Sequence, residues 1–138
     1  MEKRWTKENL DLWNSIQMAK AYSGNNYREI FLNPSSDICI VFFSSNGLYY
    51  PNTIAEFEKT VMQEDRYEWE NHLSDRRIRD YAGKVILVRD VYKQWYVKGI
   101  SSMQDSVEVV KELLAQLTEG CRIVTVGSIS QNLLMKTG

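Results

Sequence analysis

Ile38-Cys39-Ile40-Val41-Phe42-Phe43 runs directly into Ser44-Ser45-Asn46-Gly47. Six consecutive apolar residues with no polar alternation describe a strand buried on both faces, the pattern of a central strand in an α/β sheet. Small polar residues and a glycine at the carboxyl end of such a strand mark the favoured place for a binding loop. A loop of this kind can aim backbone N–H groups at an oxyanion. A plain strand-to-helix connection is the alternative at this point.

Two further apolar runs follow. Val85-Ile86-Leu87-Val88 reads as a second buried strand, and Ile123-Val124-Thr125-Val126 as the end of a third that begins near Cys121. Between them Val107, Val110, Leu113, Leu114 and Leu117 recur at helical spacing. Asp105 or Ser106 is placed to cap that helix, and Gly120 to end it. Strand, helix, strand over residues 85–126 is a βαβ unit. The expected fold class is therefore α/β: a mostly parallel sheet with flanking helices, in one domain over residues 1–138.

The loop after the second strand is the most distinctive in the chain: Arg89-Asp90-Val91-Tyr92-Lys93-Gln94-Trp95-Tyr96-Val97-Lys98-Gly99. Two readings are open. Arg89, Asp90, Trp95 and Tyr96 line a substrate site, or Arg89 pairs with Asp90 and Trp95 plugs the end of the sheet as a latch.

Upstream, residues 5–22 carry Trp5, Leu12, Trp13, Ile16 and Ala19 at roughly helical spacing, with Thr6 as a loose cap. Gly24-Asn25-Asn26 breaks the helix, and Arg28 to Leu32 reads as a short strand. Residues 53–63 form a helix with Ile54, Phe57 and Val61 inward. The stretch from Asp65 to Arg79 mixes charge signs with aromatics, as a solvated helical face does.

Composition narrows the function classes. A 43% apolar share over 138 residues supports a real core. A formal net charge of -1 argues against a general nucleic-acid binder. No run of eighteen apolar residues is present to span a membrane, and Met1-Glu2-Lys3-Arg4-Trp5 lacks a signal-peptide core, so the expected location is cytoplasmic. The lone histidine, His72, and two cysteines, Cys39 and Cys121, match no metal-binding spacing. The cysteines read as free thiols, and no cofactor is called for.

The decisive junction for chemistry is Gly127-Ser128-Ile129-Ser130-Gln131, where an apolar strand meets a glycine and small residues. Together with Ile38–Gly47 and Val88–Gly99, the stretch Ile123-Val124-Thr125-Val126-Gly127-Ser128 that enters this junction resembles the α/β-hydrolase superfamily, and within it members encoded among bacterial surface-polysaccharide genes. The resemblance implies a Rossmann-like three-layer arrangement with the strand at 38–43 between those at 85–88 and 121–126. It implies a nucleophile elbow of the Gly-x-Ser-x-Gly type, with the nucleophile position falling on Ile129. It implies oxyanion donors from the N–H of Ser130 and from the loop Ser45, Asn46, Gly47. The general base and its acidic partner would lie beyond the nucleophile in chain order.

Isoleucine has no nucleophilic atom, and without a base a serine hydroxyl near neutral pH is a poor nucleophile. The expectation is a truncated or incomplete hydrolase-like chain of esterase or acyl-transfer type, inactive by itself, with a carbohydrate-linked substrate in its lineage. Two other readings stand beside it. One is a non-catalytic carbohydrate- or partner-binding module using the loops at 44–49 and 89–99. The other is a half-protein complemented by a second chain through the edge strand at 121–126, which is exposed to self-association.

Overall fold

The computed structural model describes residues 6–22, 24–45, 48–92, 96, 99–101 and 103–127. Its elements are α1 (Lys7–Ala21), β1 (Tyr27–Phe31), β2 (Ile38–Phe43), α2 (Ile54–Phe57), α3 (Arg76–Tyr81), β3 (Lys84–Val88), α4 (Val107–Leu117) and β4 (Arg122–Val126). A π-helical stretch, Glu58–Gln63, extends α2, and a 3-10 turn, Glu70–Ser74, precedes α3.

The sheet has four strands in the order β1-β3-β2-β4. β2 is parallel to both neighbours, with Phe43 opposite Val88 and Phe42 opposite Val126. The expected placement of 38–43 between the other two runs is what the structure shows. β1 is antiparallel to β3, Tyr27 opposite Val88. Its sequence carries Arg28 and Glu29, which suits a strand paired on one side only. Glu29 meets Lys84 at 3.1 Å across that pair.

The unbroken apolar character of β2 and β3 is explained by what covers them. Cys39, Val41, Phe43, Ile86 and Val88 face α4 and pack with Val110 and Leu114. Ile40, Phe42, Val85 and Leu87 point the other way, against Tyr67, Ala82 and half-buried Trp69, Leu73 and Ile78. Alternate residues therefore enter two separate cores, as strands in the middle layer must. A third core lies beyond the carboxyl ends of β2 and β3, where Leu48, Tyr49, Val91 and Tyr92 meet Ala19, Phe57 and Val61.

The caps follow the sequence signals. Ser106 accepts from the Val109 N–H and opens α4, and Thr6 accepts from the Asn9 N–H to open α1. Gly120, at φ 78°, turns the chain out of α4 toward β4. Three expectations need correction. Ile54 is 39% exposed; Phe57 and Val61, one turn apart, supply the inward face. On α1 Ala19 is buried and Leu12 and Ile16 are half-buried as expected, but Trp13 is 49% exposed and Ser15 is buried in its place. Small side chains let α1 lie close to α2, and the bulky indole is left at the rim. The mixed-charge stretch is not one helical face but a 3-10 turn and a separate short helix, divided at Asp75, whose carboxylate caps α3.

Cys39 and Cys121 are free thiols. Among the described residues, β4 pairs only with β2, and Ile123 and Val124 stay 43% and 37% exposed. No helix of the described residues is long and apolar enough to cross a membrane.

Leu114 is fully buried between α4 and the sheet. Leu114→Ala should cost about 2–5 kcal/mol through lost burial and a residual cavity. Urea unfolding followed by tryptophan fluorescence measures it, and a loss well under 1 kcal/mol would contradict this packing.

Candidate functional site

β2, β3 and β4 end level with one another, so Ser44, Arg89 and Gly127 meet along one edge of the sheet. Crevices outside the carboxyl ends of parallel strands are where ligands bind in open α/β sheets. Each side chain at this edge has a defined task.

Ser44 is buried. Its N–H donates to the Val88 carbonyl at 2.9 Å, prolonging the ladder by one residue. Its Oγ accepts from the Asp90 N–H at 3.0 Å and lies 3.2 Å from the Tyr96 hydroxyl. The Tyr96 hydroxyl donates to the Ser44 carbonyl at 3.0 Å, with the Val88 carbonyl 3.4 Å away. One phenolic proton serves those carbonyls, so the bond between hydroxyls is donated by Ser44 Oγ. The serine proton is thereby committed, and Ser44 is a structural hydroxyl rather than a nucleophile.

Asp90 folds the loop that follows. Its carboxylate accepts from the N–H of Tyr92 at 3.0 Å and of Tyr96 at 2.8 Å. Tyr96 takes a left-handed conformation, φ 65°, at the end of this turn. Its ring packs edge-on against Phe43. Burial pushes the Tyr96 hydroxyl far above its ordinary value, the bond to Ser44 opposes the shift, and the Asp90 carboxylate adds to it.

Arg89 is 1% exposed and does not pair with Asp90. Its partner is Asp65, at 2.8 Å. Nε donates to Asn26 Oδ1 at 2.9 Å, Nη1 to the Arg66 carbonyl at 3.1 Å, and Nη2 to the Tyr22 hydroxyl at 3.2 Å. The guanidinium lies 4.2 Å from the Tyr67 ring centre. The expected Arg89–Asp90 latch is therefore replaced by two latches. Arg89 reaches across to α1 and residues 65–67, and Asp90 holds its own loop. Arg89, Asp90 and Tyr96 face inward and are engaged by the chain itself, so their bearing on a ligand is through the loops they fix.

The loop after β2 carries Ser45, which is exposed. Its N–H and its hydroxyl both donate to the Glu68 carboxylate, each at 2.5 Å. Beside it Trp69 Nε1 donates to the Phe43 carbonyl at 2.9 Å. An open cavity of about 310 Å3 adjoins this loop, with Glu68, Arg66, Glu64, Tyr49 and Tyr50 in its wall. The Tyr50 ring is 76% exposed.

At the end of β4, Gly127 has φ 131°. A Cβ there would lie 2.8 Å from the Phe43 carbonyl oxygen and 2.9 Å from the Phe43 Cβ. The glycine of the junction is thus required by the close approach of β4 to the end of β2. Ser128, Ile129, Ser130, Asn46, Gly47 and Trp95 lie outside the described residues. Among the described residues no group of His, Cys, Asp and Glu is placed to hold a metal ion. His72 stacks on Phe42, ring centres 6.2 Å apart, beside Trp69.

Glu68, Asp65 and Asn26 are the residues the sequence did not mark. Asn26 sits at φ 63° and Glu68 at φ 79°. Asparagine in a Gly-Asn-Asn run is a recognisable signal for a left-handed turn, whereas glutamate gives none. Comparison with protein-family models, curated proteins and solved structures returned no match.

Two outcomes follow from this site. Arg89→Met strands the Arg66 carbonyl, the Asn26 amide oxygen and the Tyr22 hydroxyl, and should cost about 2–4 kcal/mol in urea unfolding. Asp65→Asn takes the paired carboxylate from that buried guanidinium and should also cost at least about 2 kcal/mol. A loss well under 1 kcal/mol for either variant would contradict this account of Arg89.

The second concerns alkaline pH. Burial raises Tyr49 to about 12, raises Tyr96 further, and lifts Cys39 from 9.0 to about 11. A folded-state value above the unfolded one gives stability that is whole below the unfolded value and falls as pH rises past it. Urea midpoints should decline from about pH 9, where an unfolded thiol begins to ionise, and more steeply beyond about pH 10, where unfolded tyrosines do. Tyr96→Phe should flatten the decline above pH 10; an unchanged slope would contradict its burial.

Proposed function

We propose that the chain is a hydrolase-like protein of the esterase or acyl-transfer type, belonging to bacterial surface-polysaccharide biosynthesis, with its catalytic set incomplete. The observation that carries the reading is the pairing of β2 with β4, which brings the Ser44-Ser45 loop beside Gly127. In acyl-transfer sites an oxyanion-donor loop and a nucleophile turn must lie within reach of one carbonyl. The sheet order and the bare Cα of Gly127 against Phe43 support that arrangement. Ile129 at the nucleophile position leaves no attacking atom, so acyl chemistry is absent from the chain as it stands.

The partners this reading calls for are a carbohydrate-linked substrate and, through the open edge of β4, a second strand from another copy. A cytoplasmic location accompanies it. The second reading, a non-catalytic carbohydrate- or partner-binding module, is favoured by exposed Tyr50 in the wall of a cavity also lined by carboxylates. Aromatic faces and hydrogen-bond acceptors are what sugars use.

Ile129→Ser combined with Gln131→Gly separates the two. Hydrolysis of p-nitrophenyl acetate by the double variant above the rate of the unaltered chain would favour the first reading. Equal rates in a folded double variant would exclude a self-sufficient catalytic unit, since a serine without a base is a poor nucleophile. Saturable oligosaccharide binding that Tyr50→Ala abolishes would then establish the second.

A further inference from the structure

We propose that the ridge at Tyr50-Pro51, with the two hollows that share the Tyr50 wall, is the seat for an arginine-rich segment of a partner protein. The inference rests on the partner-binding form of the second reading and owes nothing to acyl chemistry.

One hollow, of about 310 Å3, has Glu56, Glu64 and Glu68 in its wall. The other, of about 90 Å3, sets Glu8 and Asp11 of α1 against Pro51 and Asn52. Tyr50 lines both, so carboxylates flank it on two sides. Glu68 is engaged by Ser45. Glu8, Asp11, Glu56 and Glu64 have no ion-pair partner among the described residues. The one cation among the described lining residues is Arg66, and its guanidinium is paired with Glu70. The whole chain has a formal net charge of only -1, so acid is concentrated on this face. Such a face repels the phosphates of nucleic acids and of anionic lipids and attracts a basic chain. Acidity alone would mark no more than a solvated surface; the aromatic ridge between the hollows is what makes it selective.

Tyr50 is 76% exposed on a backbone that is fixed on both sides. Before it, Tyr49 is buried and its hydroxyl donates to the Val91 carbonyl at 3.0 Å. After it, the Pro51 carbonyl accepts from the Thr53 N–H at 2.8 Å, and Thr53 in turn caps α2. A ring presented in this way loses little conformational freedom on binding. A guanidinium laid on its face gains a cation–π attraction and keeps its planar fork of donors for carboxylates at the rim. An ammonium is a compact, strongly hydrated point charge and does not combine the two. The seat therefore selects arginine over lysine.

The test is fluorescence anisotropy of labelled hexa-arginine and hexa-lysine peptides with the full chain near physiological salt. Hexa-arginine should bind about threefold tighter than hexa-lysine or better, the gain of an exposed cation–π contact. Tyr50→Ala should remove that preference and Tyr50→Phe should keep it. Glu56→Gln combined with Glu64→Gln should weaken both peptides about fivefold or more. Glu108→Gln combined with Glu112→Gln makes the same change of charge on α4, which packs into a different core, and should leave both affinities in place. Unchanged urea midpoints show that each variant is folded. Equal weakening by the two glutamate pairs, or an arginine preference that survives Tyr50→Ala, overturns the proposal. Oligosaccharide binding that Tyr50→Ala abolishes, with neither peptide bound, overturns it and keeps the second reading in its carbohydrate form. Neither peptide nor oligosaccharide bound overturns both.

Discussion

A guanidinium removed from water must find all its partners inside the protein, and Arg89 sets that constraint on this fold. Desolvating such a charge costs several kcal/mol unless geometry and hydrogen bonds compensate. Here the compensation comes from segments far apart in sequence. Tyr22 ends α1, Asn26 precedes β1, and residues 65–67 leave the π-helical turn. Each must be in place for Arg89 to be buried. The backbone takes part too, since the Arg89 N–H donates to the Asn26 carbonyl at 3.0 Å. The α1 and π-helical segments, which also share an apolar core, are thereby obliged to form together.

The same end of the sheet shows how polar groups become structural when they are enclosed. The Ser44 hydroxyl donates to the Tyr96 hydroxyl, which donates to the Ser44 carbonyl, and no buried side-chain polar atom of the described residues lacks a partner. A hydroxyl in that state holds two loops in register and has no proton to trade. Ser45, one residue on, faces solvent and differs in kind. Adjacent serines on an extended turn point to opposite sides, so one is given to architecture and its neighbour to whatever approaches from outside.

Much of the architecture was legible in the sequence because it rests on burial. The runs at 38–43 and 85–88 carry no polar residue, and only a strand covered on both faces tolerates that. The βαβ unit with its Ser106 cap was equally plain. The long-range polar partners were not. Arg89 next to Asp90 invites a neighbour pair, yet consecutive residues leave the end of a strand toward opposite sides, and each found partners more than twenty or fewer than seven positions away. On α1 periodicity marked Ala19 correctly but included Trp13, which is exposed, and missed Ser15. Close helix contact selects small residues, and Ser15 carries no hydrophobic signal. Of the candidate site, Gly127 and Ser45 were visible as residue types, but the carboxylate of Glu68 lay in a charge-rich stretch that reads as solvated surface.

The two borders of the sheet are unlike. β1 runs against its neighbour and carries charge, as a finished selvedge does. β4 runs with its neighbour, and its one charged residue, Arg122, is folded back onto Asp37 at 3.0 Å. What remains toward the outside is about 17 Å of uncharged ladder with Ile123 and Val124 in view. Past Arg122, among the described residues, that border has no counterpart to the Lys84–Glu29 pair which spans the other one.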